Sequence, residues 1–155
     1  MSGRPDNEPE QWNTRSAEET EALAGRLLGI RPAPGTPCRV VELSGELGAG
    51  KSTFARGVLR ALGVRGPIKS PSYTLIEVYE LPGIEVVHLD LYRLNDPNEL
   101  EHLGLADYHE PGFLWLVEWP ERAAGRLPPA DLRFEFSIDT NGHRIQRIET
   151  FTAKK

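Results

Sequence analysis

The feature that most constrains the fold is the segment Gly-Glu-Leu-Gly-Ala-Gly-Lys-Ser at residues 45–52, which fits the pattern G-x-x-x-x-G-K-[ST]. It follows a β-branched run at residues 39–44 and precedes residues 51–62, in which apolar residues recur at helical spacing. The glycines allow successive N–H groups to face inward, and the following helix adds a partial positive charge, so the segment is typical of a phosphate-binding loop. The sequence therefore predicts an α/β fold, a three-layer P-loop NTPase-like domain with a mixed central sheet.

Two side chains of the loop have the chemistry to hold a nucleotide. Lys51 can reach the β- and γ-phosphates as a point charge, and the Ser52 hydroxyl can ligate Mg²⁺. The alternative, a chance glycine turn in front of a helix, is disfavoured because the motif and both flanking elements are present. No Asn-Lys-x-Asp motif for reading guanine occurs, which favours ATP. The predicted nucleotide-binding residues are Gly45, Glu46, Leu47, Gly48, Ala49, Gly50, Lys51, Ser52, Thr53, Ser70 and Thr74.

Two carboxylates follow apolar, strand-length runs, Asp90 after residues 86–89 and Glu118 after residues 113–117. In a P-loop enzyme such an aspartate holds Mg²⁺, and a glutamate can also orient or deprotonate the attacking water. The alternative for each is a solvated carboxylate at a strand end. We predict Lys51, Asp90 and Glu118 as catalytic residues, and Ser52, Asp90 and Glu118 as metal ligands. His88 is interpreted as a structural histidine.

Residues 70–74, Ser-Pro-Ser-Tyr-Thr, stand where many P-loop hydrolases keep a loop that senses the γ-phosphate. Their hydroxyls could contact metal or phosphate, yet the segment is equally a plain turn. Arg93 could neutralise charge on a transferred phosphoryl group, but surface pairing with a glutamate is favoured.

The remaining segments predict how the chain is organised. Residues 1–14 are polar and proline-rich and are predicted to be a flexible N-terminal extension, and residues 15–155 a single P-loop ATPase domain. A helix over residues 17–28 begins after the capping residue Ser16. The strands ending at Ser44, Asp90 and Glu118 are predicted to be parallel, with antiparallel strands added at the C-terminal edge. Three shorter elements are also predicted: a hairpin of residues 74–79 and 85–91, a short helix at 122–127, and a last strand at 144–151.

Composition excludes several classes of protein. With 18 Lys and Arg against 23 Asp and Glu, the net charge of −5 disfavours a protein whose main task is to grip a nucleic acid backbone. No apolar run approaches the roughly 18 residues of a membrane span, and the N-terminus does not match a secretory signal, so a cytoplasmic location is expected. The single cysteine, Cys38, cannot form an internal disulfide and lacks the spaced partners of a zinc site.

Four blocks of sequence, in this order, resemble the TsaE (YjeE) family, the bacterial P-loop ATPases of tRNA threonylcarbamoyladenosine biosynthesis. They are GELGAGKST at residues 45–53, KSPSYTL at 69–75, HLDLYRL at 88–94 and VEWPER at 117–122. The resemblance covers about residues 16–148, nearly the whole chain.

The resemblance implies that the loop binds ATP, and that Ser52 stands where family members usually carry a threonine ligand of Mg²⁺. It further implies that Asp90 and Glu118 complete the metal and hydrolysis site, that residues 70–74 form a nucleotide-responsive switch, and that Trp119 lies beside the site. The implied cofactors are ATP and Mg²⁺. The implied partners are the TsaB and TsaD proteins, with tRNA reached only indirectly through their complex. ATP hydrolysis would reset that complex between turnovers.

Some assignments stay open at this stage. The first helix of the family often approaches the adenine, so Glu18 and Thr20 are possible base-side residues, and the turn at residues 142–144 could close over the nucleotide or be a plain hairpin turn. A small-molecule kinase is one alternative function, although no arginine-rich lid is evident. A nucleotide-dependent switch without useful hydrolysis is another.

Overall fold

Seven strands form one mixed sheet in the computed structural model, which describes residues 10–149. The α-helices are α1, Ala17–Leu28, and α2, Lys51–Leu62, and three 3₁₀ segments cover Pro97–Leu103, Leu105–Tyr108 and Pro120–Ala123. The strands are β1 Gln11–Thr14, β2 Arg39–Gly45, β3 Ile76–Leu81, β4 Ile84–Asp90, β5 Phe113–Glu118, β6 Leu132–Asp139 and β7 Gly142–Glu149.

The strand order is β1-β7-β6-β2-β5-β4-β3. The inner strands β6, β2, β5 and β4 run parallel, and β1, β7 and β3 are antiparallel to their neighbours. The prediction of antiparallel strands at the C-terminal edge is therefore wrong for β6, which pairs parallel with β2. The reason is that residues 119–131 form a crossover, long enough to return the chain to the opposite end of the sheet before β6 begins.

Local sequence signals set the bounds of both helices, which confirm the predicted ranges. Ser16 Oγ accepts a hydrogen bond from Glu19 N at 3.1 Å, and the Glu19 carboxylate accepts one from Arg15 N at 2.8 Å. α2 begins after Gly50 and ends at Gly63, whose φ of 113° suits a glycine at the helix end.

The helices and the 3₁₀ segments cover opposite faces of the sheet, giving three layers. α1 and α2 pack together with Leu43, Leu116 and Phe134 on one face. On the other face Trp115, Leu89 and Val117 pack against the buried residues of the 3₁₀ layer, Leu100 and Ala123. The central strands β4 and β5 thus carry buried apolar residues on both sides, as expected of parallel strands, whereas β6 alternates apolar with polar residues.

The short helix predicted at residues 122–127 is shorter and differently placed. The structure has a 3₁₀ segment at Pro120–Ala123 instead. Ala124 and Gly125 both have positive φ, 51° and 81°, and a helix cannot continue through two such residues.

The predicted N-terminal extension needs a similar correction. Within residues 1–14, Gln11–Thr14 form β1, which pairs antiparallel with β7, and residues 1–9 lie outside the described residues. Trp12 packs against Phe134, with ring centroids 6.5 Å apart, and Thr14 Oγ1 lies 2.6 Å from Thr20 Oγ1 in a buried contact. This polar segment is ordered because β7 offers it a strand edge for pairing and Phe134 offers Trp12 an apolar surface. The folded domain therefore begins before residue 15.

The last strand also differs slightly from its prediction. β7 begins at Gly142 rather than at residue 144, and residues 150 and 151 of the predicted strand lie outside the described residues. Within residues 10–149 no helix combines the length and the apolar character that crossing a bilayer requires.

Candidate functional site

A cavity of about 350 Å³ opens where β2, β4 and β5 end and α2 begins. The carboxyl ends of parallel strands are the usual place for a ligand in such a sheet. The lining residues come from the start of α1, the glycine loop, the first turn of α2, the loop at residues 70–74, the ends of β4 and β5 with the residues that follow them, and the start of β7. They are Ser16, Ala17, Thr20, Leu47, Gly48, Gly50, Lys51, Ser52, Thr53, Ser72, Asp90, Tyr92, Glu118, Trp119 and His143.

The glycine loop is shaped by two residues that cannot carry a side chain. At Gly45 a Cβ atom would lie 2.4 Å from the carbonyl oxygen of Phe136, so only glycine lets β2 pass β6 here. Gly50 has φ 109° and precedes α2 without a side-chain cap, and the first turn of the helix contains no acidic residue. The helix thus carries no acidic side chain of its own beside its first N–H groups, an arrangement that suits an anion.

Lys51 is buried at the edge of the cavity, with 4% of its surface exposed. Its ammonium donates to the carbonyl oxygens of Gly45 at 2.6 Å and Glu46 at 2.9 Å, and lies 4.2 Å from the centroid of the Trp119 ring. Burial lowers the pKa of Lys51, and nearby carboxylates, Glu118 first among them, oppose that change. The amine is thus held by the backbone of the loop, within reach of the cavity.

Glu118 ends β5 and is 2% exposed. Its Oε1 accepts a hydrogen bond from Ser52 Oγ at 2.8 Å, and its Oε2 lies 2.7 Å from Nε2 of His88. Ser52 and Glu118 were both predicted site residues, and the structure brings them into direct contact. The partner His88 was predicted only as a structural histidine.

Asp90 ends β4 directly opposite Glu118 in the parallel pair of β4 and β5. Its Oδ1 accepts from Tyr92 N at 3.1 Å, and its Oδ2 accepts from Ser72 Oγ at 3.0 Å. Both predicted carboxylates are therefore buried and bonded, and the solvated strand ends considered as their alternative are not observed.

The loop of residues 70–74 approaches the cavity through Ser72, which was not among the predicted binding residues. Ser70 contacts Ser72, with the two hydroxyl oxygens 2.8 Å apart, and does not line the cavity. Thr74 donates to Glu77 Oε2 at 3.1 Å, away from the cavity. In this conformation the structure does not place Ser70 and Thr74 at the site.

The oxygen atoms available to a cation are few. Ser52, Asp90 and Glu118 supply a hydroxyl and two carboxylates around the cavity. Within the described part of the chain, no three His, Cys, Asp or Glu side chains are grouped to hold a metal ion. Mg²⁺ binds to such sites through one or two protein carboxylates together with substrate phosphates, so the donor set fits a cation that arrives with a nucleotide.

Trp119 follows Glu118 in a strained conformation. Its φ of 58° and ψ of 50° lie in the left-handed region. Its ring contacts the Lys51 ammonium, and the centroids of the Trp119 and Tyr92 rings are 5.0 Å apart. Strain of this kind persists only where the surroundings enforce it, and it concentrates at functional sites. Sequence reasoning placed Trp119 beside the site through the family resemblance, but nothing in the sequence predicts its backbone conformation.

The opposite wall combines the start of α1 with the start of β7. Thr20 lines the cavity and Glu18 does not. His143 Nδ1 lies 2.8 Å from the carbonyl oxygen of Ala49, which joins the β6–β7 turn to the glycine loop. Arg93 lies outside the cavity, with its guanidinium 4.4 Å from the centroid of the exposed Tyr73 ring.

Two of the lining residues absent from the predicted set, Ser72 and Tyr92, lie close in sequence to the predicted residues Ser70, Thr74 and Asp90. Ser72 and Tyr92 stand inside two of the four family blocks, which is the one sequence signal that could have identified them.

Comparison with known proteins identifies a family for this site. The family model described as "Threonylcarbamoyl adenosine biosynthesis protein TsaE" matches residues 14–147. The chain is 44% identical over 109 residues to the "tRNA threonylcarbamoyladenosine biosynthesis protein TsaE" of Haemophilus influenzae, across 70% of this chain and 69% of that protein. A protein of the same description from Bacillus subtilis is 37% identical over 143 residues, across 92% of this chain and 85% of that protein.

A solved structure shares the fold. The crystal structure of Bacillus subtilis YdiB matches with a TM-score of 0.72 and 29% sequence identity, over 92% of this chain and 87% of that one. Together with the mixed seven-stranded sheet, this match confirms the predicted fold class.

Proposed function

The chain belongs to the TsaE family of threonylcarbamoyl adenosine biosynthesis proteins, and on that premise we propose that it is a Mg²⁺-dependent ATPase. ATP would be its substrate. Hydrolysis would support the threonylcarbamoyladenosine modification of tRNA by acting on the TsaB and TsaD proteins, with tRNA reached only through that complex.

The observation that supports this proposal most is the convergence of the predicted residues. Lys51, Ser52, Asp90 and Glu118 come from one helix and two strands, and all line one cavity. A chance glycine turn before a helix would not bring two buried carboxylates to the same place.

Binding falls to the loop and its lysine. The N–H groups at the start of α2 would donate to phosphate oxygens, and the Lys51 ammonium would exchange its bonds to Gly45 and Glu46 for a phosphate. Ser52 and Asp90 would hold Mg²⁺, with Glu118 beside them. When bound, Mg²⁺ neutralises charge on the phosphate oxygens.

Glu118 is the group best placed to orient water. It is buried, its carboxylate faces the cavity, and Ser52 and His88 fix both of its oxygens. A fixed carboxylate can hold a water for attack and accept its proton, a contribution of about 10²–10⁴-fold for a well-placed base.

The test is ATP hydrolysis by the purified protein with Mg²⁺, measured with and without TsaB and TsaD. We expect phosphate release that rises with the partners and vanishes in Lys51→Ala. Glu118→Gln should still bind ATP but release phosphate about 10²-fold or more slowly than wild type. If the wild-type protein binds ATP and releases no phosphate under either condition, the ATPase proposal fails and a nucleotide switch is the better account.

A further inference from the structure

His88 is a buried histidine in direct contact with the carboxylate proposed to act on water. It lies on β4 two residues before Asp90, so both side chains emerge on the same face of the sheet. Only 2% of its surface is exposed, as for Glu118, and its Nε2 lies 2.7 Å from Glu118 Oε2. The contact joins neighbouring parallel strands, because β4 pairs with β5.

The two oxygens of Glu118 have different partners. Oε2 meets His88, which is held by the central sheet, and Oε1 meets Ser52 at the start of α2. A carboxylate bonded at one oxygen alone can rotate about its last torsion, which has a broad energy profile. The bond from His88 removes that freedom and leaves Oε1 as the oxygen presented on the Ser52 side.

The hydrogen-bond pattern assigns the tautomer of His88. A carboxylate only accepts, so the proton of the short contact is on Nε2. No atom within residues 10–149 bonds to the buried Nδ1. A neutral imidazole with its proton on Nε2 leaves only an acceptor without a partner, which is less unfavourable than a buried N–H without one.

We propose that His88 is a positioning residue for Glu118. By donating to Oε2 it fixes the plane of the carboxylate, so that Oε1 is the oxygen available to a water in the cavity. This inference rests on the proposed ATPase function, because the role that His88 supports is that of Glu118. It differs from a structural role, in which the histidine would contribute to folding and leave the catalytic rate unaffected.

The kinetic test compares two substitutions of His88 with a matched control, all assayed with TsaB and TsaD. His88→Leu removes the donor, and His88→Gln keeps an amide N–H near the former Nε2. We expect kcat to fall by about tenfold or more in His88→Leu, with the KM for ATP within about twofold of wild type, because a displaced group costs rate rather than binding. His88→Gln should recover kcat to within about threefold of wild type. The exposed His102→Leu serves as the control and should retain wild-type rates.

A double-mutant cycle shows whether the effect passes through Glu118. In a Glu118→Gln background, His88→Leu should cause no further loss of kcat, since the group that it positions is already removed. Equal losses in both backgrounds would overturn the proposal.

A measurement without turnover tests the geometry alone and does not require His88→Leu to fold. The chain has four histidines, so ¹⁵N NMR of the imidazoles can assign His88 by the signal missing in His88→Gln. We expect the Nε2–H tautomer with a hydrogen-bonded proton that shifts in Glu118→Gln. The Nδ1–H tautomer, or a signal insensitive to Glu118→Gln, would overturn the proposal.

The outcomes separate the two proposals. If wild type hydrolyses ATP, Glu118→Gln is strongly slowed, and His88→Leu matches wild type, the positioning role alone fails. If wild type hydrolyses no ATP with TsaB and TsaD, the proposed function fails first.

Discussion

Trp119 and Ala124 are two residues with side chains whose φ angles, 58° and 51°, lie in the left-handed region. That conformation costs an L-residue about 1–2 kcal/mol relative to its ordinary region. At Trp119 the ring contacts with Lys51 and Tyr92 offset this strain. Ala124 is exposed and ends a 3₁₀ segment, so its strain is matched by no comparable contact of its side chain.

We therefore expect Ala124→Gly to raise the free energy of unfolding by up to about 1 kcal/mol, because glycine adopts positive φ without penalty but loses more chain entropy on folding. The neighbouring Ala123 is 1% exposed and has no positive φ, so Ala123→Gly should destabilise by about 1 kcal/mol or more. Urea unfolding of both variants checks the pair. A loss of stability in Ala124→Gly would contradict the argument from strain.

Cys38 provides a second test on the scale of one residue. Burial, together with the charge of Asp131, raises the pKa of the Cys38 thiol to about 11. At pH 8 only about 0.1% would then be thiolate, against roughly a quarter for a free cysteine.

We expect iodoacetamide to modify native Cys38 about 200-fold more slowly than a free cysteine at pH 8, with the rate rising as the pH approaches 11. Mass spectrometry follows the reaction, and the chain has one cysteine, so the product is unambiguous. The same chain unfolded in urea should react at the ordinary rate. A native rate equal to the unfolded rate would contradict a raised pKa of this half-buried thiol.

At the scale of elements, α1 and α2 approach each other through small residues. A Cβ atom on Gly57 would lie 2.5 Å from the carbonyl oxygen of Glu21 and 2.6 Å from its Cα. On Gly25 it would lie 3.1 Å from Cβ of Ala61. The backbone of α1 thus rests against that of α2, the helix whose start carries Lys51 and Ser52.

Gly57→Ala should lower the free energy of unfolding by about 1–3 kcal/mol, since two backbones must separate. It should do so although alanine favours a helix over glycine by about 1 kcal/mol. Gly25→Ala should cost less, because its clash is with a single methyl group. Denaturant unfolding measures both, and a stabilised Gly57→Ala protein would show that α1 can move away freely.

Elements were predictable where their signals are local. Ser16, Gly50 and Gly63 determine the bounds of both helices through contacts within a few residues, and the glycine loop follows from its own sequence. Local signals predict neither the direction of β6 nor the existence of β1. Both depend on edges provided by β2 and β7, which are distant in sequence.

The site divides along the same line. The glycine loop, Asp90 and Glu118 follow from motif and strand ends, whereas Ser72 and His143 line the cavity only because distant segments meet there. The sequence also predicts that His88 lies on a strand two residues before Asp90, but not that it bonds to Glu118.

On the scale of the whole molecule, the cavity joins segments from both ends of the chain. Thr20 lies on α1, Lys51 on α2, Glu118 at the end of β5 and His143 at the start of β7. A ligand that contacts all of them would connect elements that lie far apart in the sequence. Its binding energy would add to the stability of the entire domain.

ATP with Mg²⁺ at a concentration of about 100 Kd should therefore stabilise the protein by about 2.7 kcal/mol, which corresponds to several degrees in Tm for a domain of this size. Differential scanning fluorimetry measures the shift. Lys51→Ala should show none, and GTP should give a smaller shift than ATP. An equal shift in Lys51→Ala would place the nucleotide outside this cavity.

The pairing of β1 with β7 has a consequence for the order of events during synthesis. β1 is translated long before its partner β7, so Gln11–Thr14 must wait for Gly142–Glu149 before they can pair. Long-range pairing of this kind is slow to form because a large loop has to close. The start of β7 carries His143, which lines the cavity and contacts the glycine loop at Ala49, so an incomplete chain would hold its glycine loop before it had that wall. A nascent chain should consequently gain full nucleotide affinity only when its C-terminal hairpin has been released.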